Sequence, residues 1–151
     1  MSTIYDSEAE TRKHIAEVAK LMLEVMNHLT SRIIKHDRTK LWTEEKKIFD
    51  EYTPMLKHLT YGSDEYKRCL ASMKPALDHH YAWNRHHPEN HKKFSDMSLI
   101  DITEMLCDWK AATLRHDDGD IYKSIEINQK RFGYTDEMKS ILLRTAKDLL
   151  Y

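Results

Sequence analysis

Val18, Met22, Val25, Leu29 and Ile33 follow one another at steps of four, three, four and four residues, which puts all five on one face of an α-helix. A strand would need apolar residues at alternate positions, and no segment keeps that alternation long enough to make a convincing one. Three glycines and three prolines in 151 residues leave little material for a turn-rich β architecture. The expected fold class is all-α, a single compact domain over residues 1–151 with a core of its own. About six helices are expected from the spacing of apolar residues and breakers.

The first helix starts near Ser7, and His14 and His36 continue its stripe. Thr43 before Glu44 and Glu45 predicts an N-cap and a helix to about Leu59, kinked or interrupted at Pro54. Tyr61-Gly62-Ser63 reads as a turn, and Ser63-Asp64-Glu65 starts a helix toward Arg85 that bends at Pro75 and is ended by Pro88. Ser98 with Asp101 resembles a capping box, opening a helix through Ile102, Met105, Leu106 and Trp109 to about His116. Asp118-Gly119 is a turn, residues 121–131 are helical, and Thr135 caps a last helix ending near Tyr151. Met138, Ile141, Leu142 and Leu149 on that last helix either close the core or make a homodimer contact. Methionines such as Met22, Met26 and Met105 read as core filler.

Charge excludes some partners. Twenty-four Lys and Arg against 25 Asp and Glu give no field that would attract long nucleic acid. No apolar run reaches the ~20 residues that cross a bilayer, so no membrane partner is expected. The polar, acidic stretch from Met1 to Thr11 is no signal peptide, and Cys69 and Cys107 have no CxxC spacing. Two buried, reduced thiols and a cytoplasmic location are the expectation.

Chemistry is concentrated elsewhere. Four of the ten histidines fall between His79 and His87, and a fifth stands beside a carboxylate as His36-Asp37. Imidazole gathers where a neutral nitrogen binds a metal or where protons move near neutral pH. A His-Asp pair at a helix end offers a nitrogen ligand and a hard oxygen that can bridge two cations. On one continuous helix His80, Asn84 and His87 share a face, while His79, Trp83 and His86 share a neighbouring one. One pair then ligates, and the other supports it or meets substrate. His28, His58 and His91 read as surface residues. The run Asp117-Asp118-Gly119-Asp120 beside His116 lacks EF-hand spacing and reads as a solvated turn.

The segment His36-Asp37-Arg38-Thr39-Lys40 is similar to the His-Asp-x-Gly-Lys segment of the HD-GYP phosphodiesterases, within the HD-domain superfamily. His14-Ile15-Ala16-Glu17-Val18-Ala19 looks like the first-histidine helix of HD proteins, and Cys107-Asp108-Trp109-Lys110-Ala111-Ala112 like their last-ligand helix. The chain also resembles an uncharacterised family of short, mostly bacteriophage-encoded proteins. That likeness rests on His-Asp-x-Ser-Lys, here with Thr39 for serine, on His-His-x-x-x-Asn-x-His-His-Pro-Glu and on Glu-Met-x-x-Asp-Trp-x-Ala.

The HD resemblance implies a helical bundle with one or two divalent transition-metal ions (Mn, Fe, Co, Ni or Zn) that hydrolyses a phosphoester. His14, His36, Asp37 and Asp108 would hold the first ion, and His79 and His80 a second, with Asp37 between them. Lys40, Asn84, His86, His87 and Arg115 would meet the phosphate or protonate the leaving group. Where the nucleotidase branch has a glutamate one turn after the pair, this chain has Lys40, so the acid is expected from Glu104 or His87. The glycine-tyrosine-proline signature of the cyclic-dinucleotide enzymes is missing.

The expected substrate is a small phosphorylated molecule, a nucleotide or nucleotide signal, with Tyr81, Trp83 and Trp109 placed to stack a base. Two other readings use the same residues: a non-catalytic helical binding protein with a structural metal, and a di-iron oxygenase of HD type. An unbroken first helix would separate His14 from His36 by about 33 Å at ~1.5 Å per residue. A shared ion therefore requires a reversal, expected around Met26-Asn27-His28.

Overall fold

The structure, a computed structural model, describes residues 6–60, 63–115 and 119–149. Among them are seven α-helices, three short 3-10 turns and no strand, so the fold is all-α. The chain divides into two units, residues 1–35 and 36–151. The expected turns at Tyr61-Gly62 and Asp118, and His116, lie outside the described residues.

The first unit is one helix, α1 (Glu8–Lys35), which runs 28 residues without a break. Glu8 and Glu10 in its first turn and Arg32 and Lys35 in its last complement the helix dipole. Arg12–Glu8 (2.6 Å) and Lys13–Glu10 (2.9 Å) are pairs one turn apart. The expected reversal at Met26-Asn27-His28 does not occur: Thr30 Oγ1 donates to the Met26 carbonyl inside a continuous helix. His14 therefore precedes Lys35 by about 31 Å of helix at ~1.5 Å per residue, and it cannot share an ion with the residue that follows Lys35. Met22 and Met26 are 63% and 59% exposed, which corrects their reading as core filler.

The second unit begins at His36. Asp37 takes a left-handed conformation (φ 54, ψ 14), turning the chain into a 3-10 turn, Arg38–Leu41. Helix α2 (Thr43–Leu56) follows, with Trp42 rather than Thr43 at the cap and Pro54 accommodated in its last turn. Ser63 caps α3 (Asp64–Ser72) by accepting from the Tyr66 amide. The expected bend is a full break at Met73, and Pro75 sits in the first turn of α4 (Lys74–Trp83), where its missing N–H costs nothing.

Helix α4 stops at Trp83, earlier than Pro88 suggested, because Asn84 turns extended and its side-chain amide donates to the His80 carbonyl (2.8 Å). Residues 84–87 leave the helix, and Pro88–Asn90 forms a 3-10 turn. The capping box of Ser98 and Asp101 forms as expected and opens α5 (Leu99–Thr113). Asp120 caps α6 (Ile121–Phe132), Gly133 ends it at φ 67, and Thr135 caps α7 (Asp136–Asp148).

The core lies where α5, α6 and α7 meet. Met105, Leu106, Ile125, Leu142 and Ala146 are buried there, with Phe94 and Tyr134 packed against them. Leu142 and Ala146 bring α7 onto this core, whereas Ile141 faces outward. Trp109 stacks on Phe132 (centroids 6.3 Å apart), which makes it a packing residue. Cys69 is buried as expected, but Cys107 is exposed; both are free thiols.

Candidate metal centre

Four segments of the second unit meet at one point. The turn after His36 brings Asp37, Thr39 and Lys40; α2 brings Glu45; α4 and the loop after it bring His79, His80, Asn84, His86 and His87. Helix α5 brings Glu104 and Asp108, which lie four residues apart on one face while Met105 and Leu106 enter the core.

Two carboxylates, Glu104 and Glu45, organise the imidazoles. Glu104 accepts from Nδ1 of His36 (3.0 Å) and lies 3.2 Å from Nδ1 of His86. Glu45, fully buried, accepts from Nδ1 of His79 (2.7 Å) and Nδ1 of His80 (2.9 Å). A proton on Nδ1 leaves the lone pair on Nε2, so the carboxylates fix the tautomers and aim the free nitrogens.

Those of His36, His80 and His86 converge on Asp37. His80 Nε2 is 3.1 Å from Asp37 Oδ1 and 3.0 Å from His87 Nε2. His86 Nε2 is 3.5 Å from Asp37 Oδ1 and 3.9 Å from Asp108 Oδ2. His36 Nε2 is 3.6 Å from Asp37 Oδ2 and 3.8 Å from Asp108 Oδ1.

Asp37 Oδ1 and His86 Nε2 are buried with no hydrogen-bond partner. Two lone-pair-bearing atoms that face each other without a partner are costly in a protein interior, and a cation between them would satisfy both. The charges agree, since the centre holds four carboxylates (Asp37, Glu45, Glu104, Asp108) against one ammonium, Lys40, whose Nζ is 2.5 Å from Asp37. The donor set therefore fits a divalent ion of borderline softness.

Two ligand groups share Asp37. The deeper comprises Asp37, His80, His86 and His87, and the outer His36, Asp37 and Asp108. A third grouping, His36, His86 and Glu104, is the Nδ1 clamp just described.

Protonation follows from these neighbours. The hydrogen bond to Glu104 raises His36, against burial and with help from Asp37 and Asp108. Burial works to raise Asp37, but the neighbouring His80 and the charge of Lys40 outweigh it and hold the carboxyl well below its usual range. Burial above all pushes His87 down to about 2, so its imidazole is neutral near pH 7.

His36, Asp37, His80 and Asp108 thus stand together in the centre. His14 does not, for the reason given above. His79 lies behind His80 on Glu45, and its ring packs near Trp42 and Trp83. His86 and His87, expected to serve substrate and proton transfer, instead point into the ligand cluster, because α4 ends at Trp83. Glu104 is occupied by two imidazoles rather than poised as an acid. Asn84 is buried and donates to Thr39 Oγ1 (2.9 Å), which keeps it from substrate. Arg115 is exposed just past the end of α5.

Glu45 and Thr39 are the residues that sequence reasoning missed. Thr39 is buried within 2.9 Å of His80 Nδ1. Glu45 looked like an ordinary first-turn acid of α2, and no local signal marks it.

A profile describing a family of unknown function matches residues 3–150. The chain belongs to that family, DUF5662. No curated protein and no solved structure matches this DUF5662 chain.

Proposed function

We propose that the second unit is a metal-dependent phosphohydrolase acting on a small phosphorylated substrate, as the HD resemblance suggests. The observation that carries the reading is the facing pair of unpartnered buried atoms, Asp37 Oδ1 and His86 Nε2, inside a shell of oriented imidazoles. His80, His86, His87 and Asp37 would hold one ion, and His36, Asp37 and Asp108 a second. When bound, a divalent cation there acidifies a water molecule and neutralises phosphoryl oxygens. His36, Asp108 and Lys40 are the partly exposed rim, with side chains 33%, 24% and 34% accessible, so substrate approaches from that side. Lys40 supplies a phosphate contact, and Glu45 and Glu104 hold the rings by Nδ1 so that Nε2 of His36, His80 and His86 faces the ions.

A second reading has its own support. The deeper group already has four protein ligands, the number that closes a structural site, whereas the outer group has three and leaves room for water. If only the deeper group takes an ion, the centre is structural and the chain a binding protein.

Elemental mass spectrometry on wild type, Asp37→Asn and Asp108→Ala separates these outcomes, followed by a phosphatase and phosphodiesterase panel over nucleotides. The hydrolase reading expects bound metal that Asp37→Asn abolishes, and turnover that Asp108→Ala abolishes. Full metal retention in Asp108→Ala with no turnover in wild type would favour the structural site. A wild type that stays empty after reconstitution removes both.

A further inference from the structure

The two oxygens of Asp37 face different company. Oδ1 is buried, 3.1 Å from His80 Nε2 and 3.5 Å from His86 Nε2, and His80 Nε2 is 3.0 Å from His87 Nε2. Donors held ~2.0–2.1 Å from a tetrahedral ion stand about 3.3 Å apart, and these spacings bracket that value. Oδ2 faces the rim. It accepts from Lys40 Nζ at 2.5 Å, and His36 Nε2 lies 3.6 Å from it. The same ammonium stands over the Phe49 ring, 5.5 Å from its centroid, so an aromatic face holds it from a second side.

We propose that Lys40 competes with an ion for Asp37 Oδ2, so that the two positions fill in order and with different classes of ion. A borderline transition metal enters the deeper group first and tightly, and a hard, exchangeable ion enters the outer group second. This rests on the two-ion reading above and adds to it the order, the ion classes and the residue that sets them.

Donor chemistry separates the classes. The deeper group offers three imidazole nitrogens and one carboxylate oxygen, a set that suits Zn or Co and fills a four-coordinate ion. The outer group offers one nitrogen and two carboxylate oxygens on partly exposed side chains. Such a set leaves positions for water and suits Mn or Mg. Its spacings are wider as well, 3.6 and 3.8 Å from His36 Nε2 to Asp37 Oδ2 and Asp108 Oδ1.

Charge sets the order. An ion ligated by Oδ2 comes to about 4 Å from the Lys40 ammonium, where like charges repel, and an ion already on Oδ1 repels it too. The Lys40 bond leaves Oδ1 to the deeper ion.

Metal titrations of the full chain, chelated beforehand, test this. One equivalent of Co is expected to bind tightly and to give the intense visible bands of a four-coordinate ion. With one equivalent of Zn bound instead, Mn is expected to bind weakly, followed by its free-ion signal in electron paramagnetic resonance. Lys40→Met keeps the alkyl length and drops the charge; it is expected to tighten Mn at least ~10-fold and to leave the cobalt titration unchanged. Lys40→Arg keeps the charge and is expected to stay as weak as wild type. Asp108→Asn is expected to lose Mn and keep Co. Lys40→Gln replaces Lys40→Met should that variant fail to fold. An unchanged Mn affinity in the uncharged variant, or two equivalents of Co binding alike in wild type, overturns the proposal. These readouts count ions rather than turnover. An inactive protein that fills in this order removes the hydrolase reading and upholds this one, and an active protein whose two positions fill alike does the reverse.

Discussion

Glu104 shows how much a single side chain controls. One carboxylate faces the Nδ1 atoms of both His36 and His86, at 3.0 and 3.2 Å, so both free nitrogens face Asp37 and Asp108. Glutamine has one acceptor oxygen and one donor amide, so Glu104→Gln can accept from only one ring and drives the other toward the opposite tautomer. Metal affinity is expected to fall about 10–100-fold, measured by chelator competition. Long-range 15N–1H spectra should show one imidazole changing tautomer; unchanged tautomers with unchanged affinity would sink the assignment. The same scale carries a pH effect away from the centre. Burial pushes the Tyr134 phenol up to about 12, and its hydroxyl donates to the Ile125 carbonyl. A folded-state value above the unfolded one, ~10, means stability is fully present below pH ~10 and lost as pH rises toward ~12. Urea titrations of wild type and Tyr134→Phe across that window should show the extra loss only in wild type.

Periodicity revealed most of the helices, and their ends decided the site. The stripe on α1, the capping box of Ser98 and Asp101, and the cap at Thr135 are visible in residue order because each is a local device. The end of α4 was harder to read. Pro88 is a strong breaker and draws the expected helix end toward it, which places His86 and His87 on helix faces they do not occupy. The signal that marks the true end is Asn84, a residue that readily leaves helical geometry and takes up a carbonyl. That side chain ties the loop to His80 and to Thr39, and it is buried. Asn84→Ala should cost about 1–3 kcal/mol of unfolding free energy by urea titration, since it leaves buried partners unsatisfied. It should weaken metal binding as well, because the loop then holds His86 and His87 less firmly. A variant as stable as wild type would mean that the loop is fixed by other contacts.

At the scale of the whole molecule, composition announced an all-α chain, and no helix among the described residues is long and apolar enough to cross a membrane. The metal-centre residues His36, Asp37, His80 and Asp108 were legible as chemistry, but their company was not. Glu45 comes from a separate stretch with no spacing signal, Thr39 beside Asp37 gives no sign that it meets His80, and Glu104, expected as an acid, turns out to clamp two imidazoles, so only folding reveals these roles. This distribution makes binding and folding one equilibrium. Ligands and clamps come from the turn after His36, from α2, from α4 with its loop, and from α5, so an ion can engage them together only in the folded state. An ion that binds the native state alone adds about 2.7 kcal/mol when present at ~100 times its dissociation constant. For a domain of this size that is worth about 5–10 °C in melting temperature. Differential scanning calorimetry of the chelated chain, titrated with Mn, Co or Zn, should show that rise, and Asp37→Asn should melt at one temperature with or without metal. Asp37→Asn is the better control than Asp37→Ala, because asparagine tolerates the left-handed backbone at this position and keeps the turn while removing the shared charge. If wild type and variant rise alike, the cations bind the surface, and the four converging segments are held together without an ion.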